Sequence, residues 1–222
     1  VAIASPLDSK TGSPFNPPNL PGWNQFPLAS YWGEKLRLPV SVANDGNAAA
    51  LGEYFFGVGR GLSDFLYITV GTGIGGGVIS GGNLITGARG FAAEIGHMSV
   101  DPNGPICQCG NIGCLEVLAS GTAIGRFAQD EMFLRKASVL SQMVKGHEDS
   151  VTAVEVTEAA RRGDMLSLDI LRKAGLSLAQ GIVSLVHIFN PQMVAVGGGV
   201  SAGWELWSDV VEGYVFKRGM LS

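Results

Sequence analysis

The sequence predicts an α/β fold that carries a metal-binding loop, and three observations support the prediction. Short apolar runs repeatedly end in glycine-rich or polar turns and are followed by helical stretches, which is the unit from which α/β sheets are assembled. The 33 glycines, at 46% apolar content, supply the strand-to-turn junctions such a fold needs. All three cysteines, Cys107, Cys109 and Cys114, fall within eight residues, with Gly110 and Gly113 between the second and third.

Length and charge bound the answer. A chain of 222 residues can form one large domain or two small ones with ample core. The balance of 15 Lys+Arg against 19 Asp+Glu, without a basic run, argues against a nucleic-acid footprint. The least charged long stretch, Ala174 to Phe189, is broken by Ser177, Gln180, Ser184 and His187; it is too short and too polar to span a bilayer. No secretory signal is visible, and clustered free thiols favour a reducing compartment. A cytoplasmic protein is expected.

Taken in order, Val1 to Ser5 reads as a short buried strand. The Pro-, Gly- and Asn-rich run from Asp8 to Gly22 reads as an ordered loop or edge strand. Leu28 to Leu36 reads as a helix and Pro39 to Ala43 as a buried strand. That strand runs into Asn44-Asp45-Gly46-Asn47, then a helix over Ala48 to Phe56 closed by Gly57. A polar turn at a strand's carboxyl end is where open α/β sheets bind ligands, but Asp45 serves equally well as a plain helix cap.

Asp64 to Val70 is a second strand. It enters Gly71-Thr72-Gly73-Ile74-Gly75-Gly76-Gly77, re-emerges over Val78 to Ser80 and turns again at Gly81-Gly82-Asn83. Such a turn exposes N–H groups that can cradle phosphate. It matches neither a Walker A loop nor a dinucleotide fingerprint, and a plain hairpin turn stays open. A helix is expected to carry Glu94 and His97, and Ser120-Gly-Thr-Ala to open one of about two turns. Gln129 to Val151 reads as a solvated helix and loop, Val154 to Arg162 as an amphipathic helix, and Met165 to Phe189 as a long buried helix ended by Asn190-Pro191. Met193 to Val196 is a strand, Gly197-Gly198-Gly199 a turn at its carboxyl end, and Trp204 to Val211 a final helix. Strand, glycine turn and helix again suit a nucleotide.

Cys107 and Cys109 are too close in sequence to pair comfortably, and three thiols leave one unpaired however they are joined. A structural zinc fits better, because Cys₃His is one of its standard ligand sets. His97, ten residues before Cys107, supplies the fourth ligand. The plainer alternative is a few buried cysteines beside a satisfied histidine. Glu94, one helical turn before His97, and Glu116, two residues after Cys114, frame the loop. They are either solvated carboxylates or groups converging, with the free ring nitrogen of His97, on a ligand.

Together these residues resemble the ROK family of sugar kinases and sugar-responsive repressors, over essentially the whole chain. The most specific part is E-x-G-H followed by C-x-C-G-x-x-G-C-x-E, present as Glu94 to His97 and Cys107 to Glu116. N-D-x-N-A-A is present as Asn44 to Ala49, and the loop Asn19-Leu-Pro-Gly-Trp23 is similar to one before the sugar site of the family's glucokinases.

The resemblance implies an actin-like ATPase (ribonuclease H-like) two-domain fold around a cleft, with residues 1–43 remaining from an N-terminal α/β domain. Residues 44–222 would form the larger C-terminal one, with the zinc loop at 97–114. It implies ATP-dependent hexose phosphorylation, most simply of glucose, with Asp45 as general base. Asn19, Asn44, Asp45, Glu94, His97 and Glu116 would bind sugar. Gly71, Thr72, Gly73, Gly75, Gly76, Gly197, Gly198 and Gly199 would bind ATP with its Mg²⁺. His97, Cys107, Cys109 and Cys114 would hold a structural zinc. Hexose and ATP are the expected partners, with no nucleic acid or membrane, and a homodimer is expected. A repressor with a helix-turn-helix and an N-acetylhexosamine kinase are the alternatives.

The sequence departs from the family in several places. No D-x-G-G-T-K hairpin occurs, Ser5-Pro6-Leu7-Asp8 lacks the Gly-Pro usual after that proline, and Ala93 stands where the family prefers glycine. The chain is therefore expected to be a fragment of a kinase, poorly soluble and inactive by itself.

Overall fold

The computed structural model describes residues 1–8, 11–17, 20–134 and 138–220. They divide into two compact units: Val1–Ile68 with Gly75–Glu94 and Pro191–Ala195, and Thr69–Ile74 with Ile95–Asn190 and Val196–Ser222.

In the first unit, β1 (Ala2–Ile3) pairs in parallel with β2 (Ala43–Asn44), Ala2 opposite Ala43 and Ile3 opposite Asn44. Both strands are shorter than expected. The Ser5 N–H turns back to the Ile3 carbonyl at 2.9 Å, and Pro39 has no N–H to offer a ladder. Helix α1 (Leu28–Leu36) has the expected bounds and ends at Arg37 in the left-handed region, φ 53°. Its first residue, Leu28, is buried with Ile3 and Leu7, and Leu20, Phe26 and Val42 pack around them.

Helix α2 (Asp45–Phe56) closes on Gly57. It lies on strands β3 (Phe65–Val70), β4 (Ile74–Ser80), β5 (Asn83–Leu84) and β6 (Met193–Gly197), which form a sheet in the order β5-β4-β3-β6. Ala50, Phe65 and Ile79 form the core there, with Tyr54, Leu62, Tyr67, Leu84 and Ala195 against it. β4 and β5 run antiparallel through Gly81 and Gly82, both at positive φ (55° and 78°), as a tight two-residue hairpin requires. The Asp64 carboxylate braces that turn, accepting from the Ser80 hydroxyl and the Gly81 N–H, each at 3.0 Å. Those donors, with the Ser63 hydroxyl, hold its pKa below the ordinary value.

The glycine segment differs from expectation. Strand β4 begins at Ile74, so Gly75, Gly76 and Gly77 are strand residues and the turn is confined to Gly71–Gly73. Packing gives the reason. A Cβ on Gly77 would stand 2.6 Å from that of Ala50, and one on Gly46 would stand 2.6 Å from the Gly76 N. The glycines let α2 lie close on the strand.

The second unit is helical and organised by α7 (Met165–Phe189), which touches α3 (Leu115–Ala119), α4 (Gly121–Leu134), α6 (Ala153–Arg161) and α8 (Ser208–Arg218). Helix α5 (Val139–Met143) packs on α6. Buried Asp164 caps α7, accepting from the Ser167 N–H and hydroxyl, and Asn190 closes the helix at φ 44°. Its length matches the expectation because both punctuating residues are local signals. Gly175 and Gly181 admit Trp207 and Leu115, which would lie 2.8 Å from an added Cβ. Helix α4 is longer than the two turns expected, and Gly199–Leu206 forms a 3₁₀ segment before α8 rather than part of a single helix over 204–211. Among the described residues, no helix is long and apolar enough to cross a membrane.

Candidate active site and metal centre

The thiol loop folds back on itself, with Ser99 opposite Cys114 and Ile106 opposite Ile112 as isolated bridges. The Cys107 N–H donates to Asn111 at 2.8 Å, and the Gly113 N–H to Pro105 at 2.8 Å. Gly110 and Gly113 both adopt positive φ (90° and 60°), which a residue without a Cβ allows in a tight turn. Cys114 precedes α3 as its N-cap residue. The ligand atoms of His97, Cys107, Cys109 and Cys114 all lie within 4.8 Å of one another.

These distances test the ligand set. Tetrahedral zinc with Zn–S near 2.3 Å and Zn–N near 2.05 Å places S···S at about 3.8 Å and S···N at about 3.6 Å. Here Cys109 Sγ lies 3.6 Å from Cys114 Sγ, and Cys107 Sγ lies 3.6 Å from His97 Nδ1. The residues fit the ion. Burial, and then the neighbouring thiols, pushes the Cys114 thiol up to about 12. Burial also raises Cys109, but the Asn111 N–H and the adjoining thiols outweigh it and hold that group below its ordinary value. A bound cation displaces such protons outright.

His97 sits on a single 3₁₀ turn, Ile95–His97, and Glu94 lies outside it. The helix expected there does not form. Ala93 adopts φ 64°, a left-handed conformation that cannot begin an α-helix, and Gly96 is pressed against the Ile74 carbonyl. Glu94 is exposed and belongs to the first unit, whereas His97 and Glu116 belong to the second.

At the start of α2 the cap is Asn44, not Asp45. Asn44 Oδ1 accepts from the Asn47 N–H at 3.1 Å, and its Nδ2 donates to the Ser5 carbonyl at 3.3 Å. Asp45 is the first helical residue and is exposed; its carboxylate accepts from the Gly46 N–H at 2.9 Å.

In the second unit the two glycine turns meet. Gly198, at φ 93°, lies against the Val70 backbone, where a Cβ would come within 2.7 Å of Val70 N. Gly121 is bounded by the Gly71 carbonyl and the Val200 side chain. Glu116 joins this group, its Oε2 accepting from the Ile74 N–H at 3.0 Å and lying where a Gly73 side chain would be. Gly121 and Thr122, which also bond the first turn, were legible only as the opening of a helix. Asn19 lies outside the described residues.

The ROK family model matches residues 1–217. A glucokinase of Thermotoga maritima is 42% identical over 208 residues, covering 93% of this chain and 65% of its own length. A xylose repressor of Caldicellulosiruptor bescii is 34% identical over 236 residues, covering 100% of this chain and 55% of its own. The chain thus spans less than two thirds of either relative. The crystal structure of a ROK family glucokinase from Streptomyces griseus, in complex with glucose and AMPPNP, superposes with a TM-score of 0.87 at 39% identity, covering 99% of this chain and 70% of the other.

Proposed function

The chain belongs to the ROK family and has the α/β fold of its kinase structures, and from that premise we propose that it carries the sugar and nucleotide residues of an ATP-dependent hexose kinase acting on glucose. The observation that carries this reading is the division of labour at α2: Asn44 caps the helix and leaves the adjacent Asp45 carboxylate exposed.

Asp45 takes the proton of the sugar's primary hydroxyl as that oxygen attacks the γ-phosphate. Phosphoryl transfer asks the protein mainly for positioning and charge stabilisation, so one well-placed carboxylate suffices. Asn44, Glu94, His97 and Glu116 bind sugar hydroxyls, His97 through Nε2 because Nδ1 faces the thiols. Unmet polar groups at those positions reject sugars lacking a hydroxyl. The amides of the turn Gly71–Gly73 and the turn Gly197–Gly199 receive the nucleotide, whose Mg²⁺ neutralises phosphate charge. His97, Cys107, Cys109 and Cys114 hold zinc in a structural role, since four protein ligands leave no open coordination position. The zinc supplies rigidity, fixing the ring of His97 and the start of α3.

The test is Asp45→Asn in the protein carrying this chain. Turnover is expected to fall about 10²–10⁴-fold, the usual contribution of a general base, with sugar affinity held within a few-fold. Near-normal turnover would refute the role. A sugar-responsive regulator is the second reading, favoured by the similarity to the xylose repressor; sugar binding without ATP-dependent phosphorylation in the unsubstituted protein would establish it.

A further inference from the structure

The turn Gly71–Gly73 is gripped from the segment that joins α3 to α4. The Gly121 N–H donates to the Gly71 carbonyl at 2.7 Å, and the Thr122 hydroxyl donates to the Thr72 carbonyl at 2.8 Å, shorter than the bond of the Thr122 N–H to the same oxygen at 3.4 Å. Within the turn, the Gly71 N–H closes on the Gly73 carbonyl at 2.9 Å, and Glu116 takes the Ile74 N–H. All three turn carbonyls are therefore occupied. The amides of Thr72 and Gly73 have no acceptor among the described residues.

Among the described residues, the Thr122 hydroxyl has no other hydrogen-bond partner. Ser120 performs the capping at the start of α4, its Oγ accepting from the Ala123 N–H at 3.1 Å. A threonine hydroxyl has one proton, and a carbonyl oxygen can only accept. The Thr122 proton therefore goes to Thr72, and what remains on that oxygen is lone pairs, which cannot donate to an anion. The Thr122 proton can therefore reach a phosphate only through its hold on the turn.

We propose that Thr122 is a positioning residue for the nucleotide: its hydroxyl, with the Gly121 amide, holds the Thr72 and Gly71 carbonyls inward so that the Thr72 and Gly73 amides face the phosphates. Were these carbonyls to swing out, acceptor oxygens would meet a polyanion. This inference rests on the reading of Gly71–Gly73 as a phosphate turn.

The test compares Thr122→Val, which keeps the shape and loses the proton, with Thr122→Ser, which restores it. The probe is a non-hydrolysable ATP analogue with Mg²⁺, titrated calorimetrically against the protein carrying this chain, alongside glucose binding, thermal unfolding and steady-state kinetics. Loss of one such hydrogen bond predicts a weakening of analogue affinity and a rise in the KM for ATP of about five- to tenfold in T122V. Glucose affinity should stay within about twofold and kcat should change less than KM; T122S should restore nucleotide affinity. Unchanged analogue affinity in T122V, or T122S as weak as T122V, overturns the inference. So does a parallel loss of glucose affinity and thermal stability, which marks a general structural role. An unsubstituted protein that fails to bind the analogue overturns the phosphate-turn reading, and this inference with it.

Discussion

Ala93 is where sequence and backbone disagree most openly, and the disagreement has a measurable size. Its φ of 64° brings the Cβ toward the following carbonyl oxygen, which costs an L-residue roughly 1–2 kcal/mol relative to right-handed backbone. Glycine escapes that cost but brings a more flexible unfolded chain, worth about 0.4–1 kcal/mol in the opposite direction. The difference predicts that Ala93→Gly stabilises by about 0.5–1 kcal/mol. For a chain of this size, 1 kcal/mol moves Tm by about 2–4 °C, so an upward shift of about 1–4 °C is expected in thermal unfolding by circular dichroism. Ala93→Val, whose branched side chain is worse tolerated at positive φ, should move Tm down. The pair makes the assay directional. A lower Tm for the glycine variant, or equal values for glycine and valine, would show that the left-handed backbone at this residue carries no strain.

Two further outcomes follow from the metal centre and the hairpin. Purified protein should contain about one zinc per chain, and strong chelators should unfold the thiol loop as they remove it, because site formation and folding are coupled. Metal analysis showing none, with three titratable thiols in folded protein, would refute the site. Asp64, held below its ordinary value of 3.8 first by the Gly81 N–H and then by two serine hydroxyls, contributes stability above that value and loses it as pH falls through its folded pKa. Asp64→Asn should therefore be the less stable protein at neutral pH, with the gap narrowing below about pH 4; a gap constant from pH 7 to pH 3 would contradict this.

What the sequence disclosed, and what it concealed, follows from the range of each interaction. Helices α1 and α7 were legible to the residue because their ends are set by neighbours in sequence, such as Asp164 and Asn190 around α7. The four metal ligands were legible because chemistry restricts which side chains cluster at that spacing, and the structure brings their atoms within 4.8 Å. The helix expected over Glu94 to His97 failed where a long-range contact decides. Gly96 must fit against Ile74, which lies 22 residues away in the chain.

The glycine segment makes the same point with functional consequences. In the sequence, Gly71 to Gly77 is one run and invites one explanation. In the structure it does two jobs. Gly77 faces Ala50 of α2, and the Gly76 backbone lies against Gly46, so a side chain on Gly77 or Gly46 would push the strand from the helix that carries Asp45. Gly73 faces Glu116, whose carboxylate fills the space of a Cβ and takes the Ile74 amide. Glycine at 77 is required by packing, and within the run the turn Gly71–Gly73 has amides to offer a ligand. Composition cannot separate these demands, because both call for the same residue. The partners that separate them lie from 27 to 43 residues away, from Ala50 against Gly77 to Glu116 against Gly73.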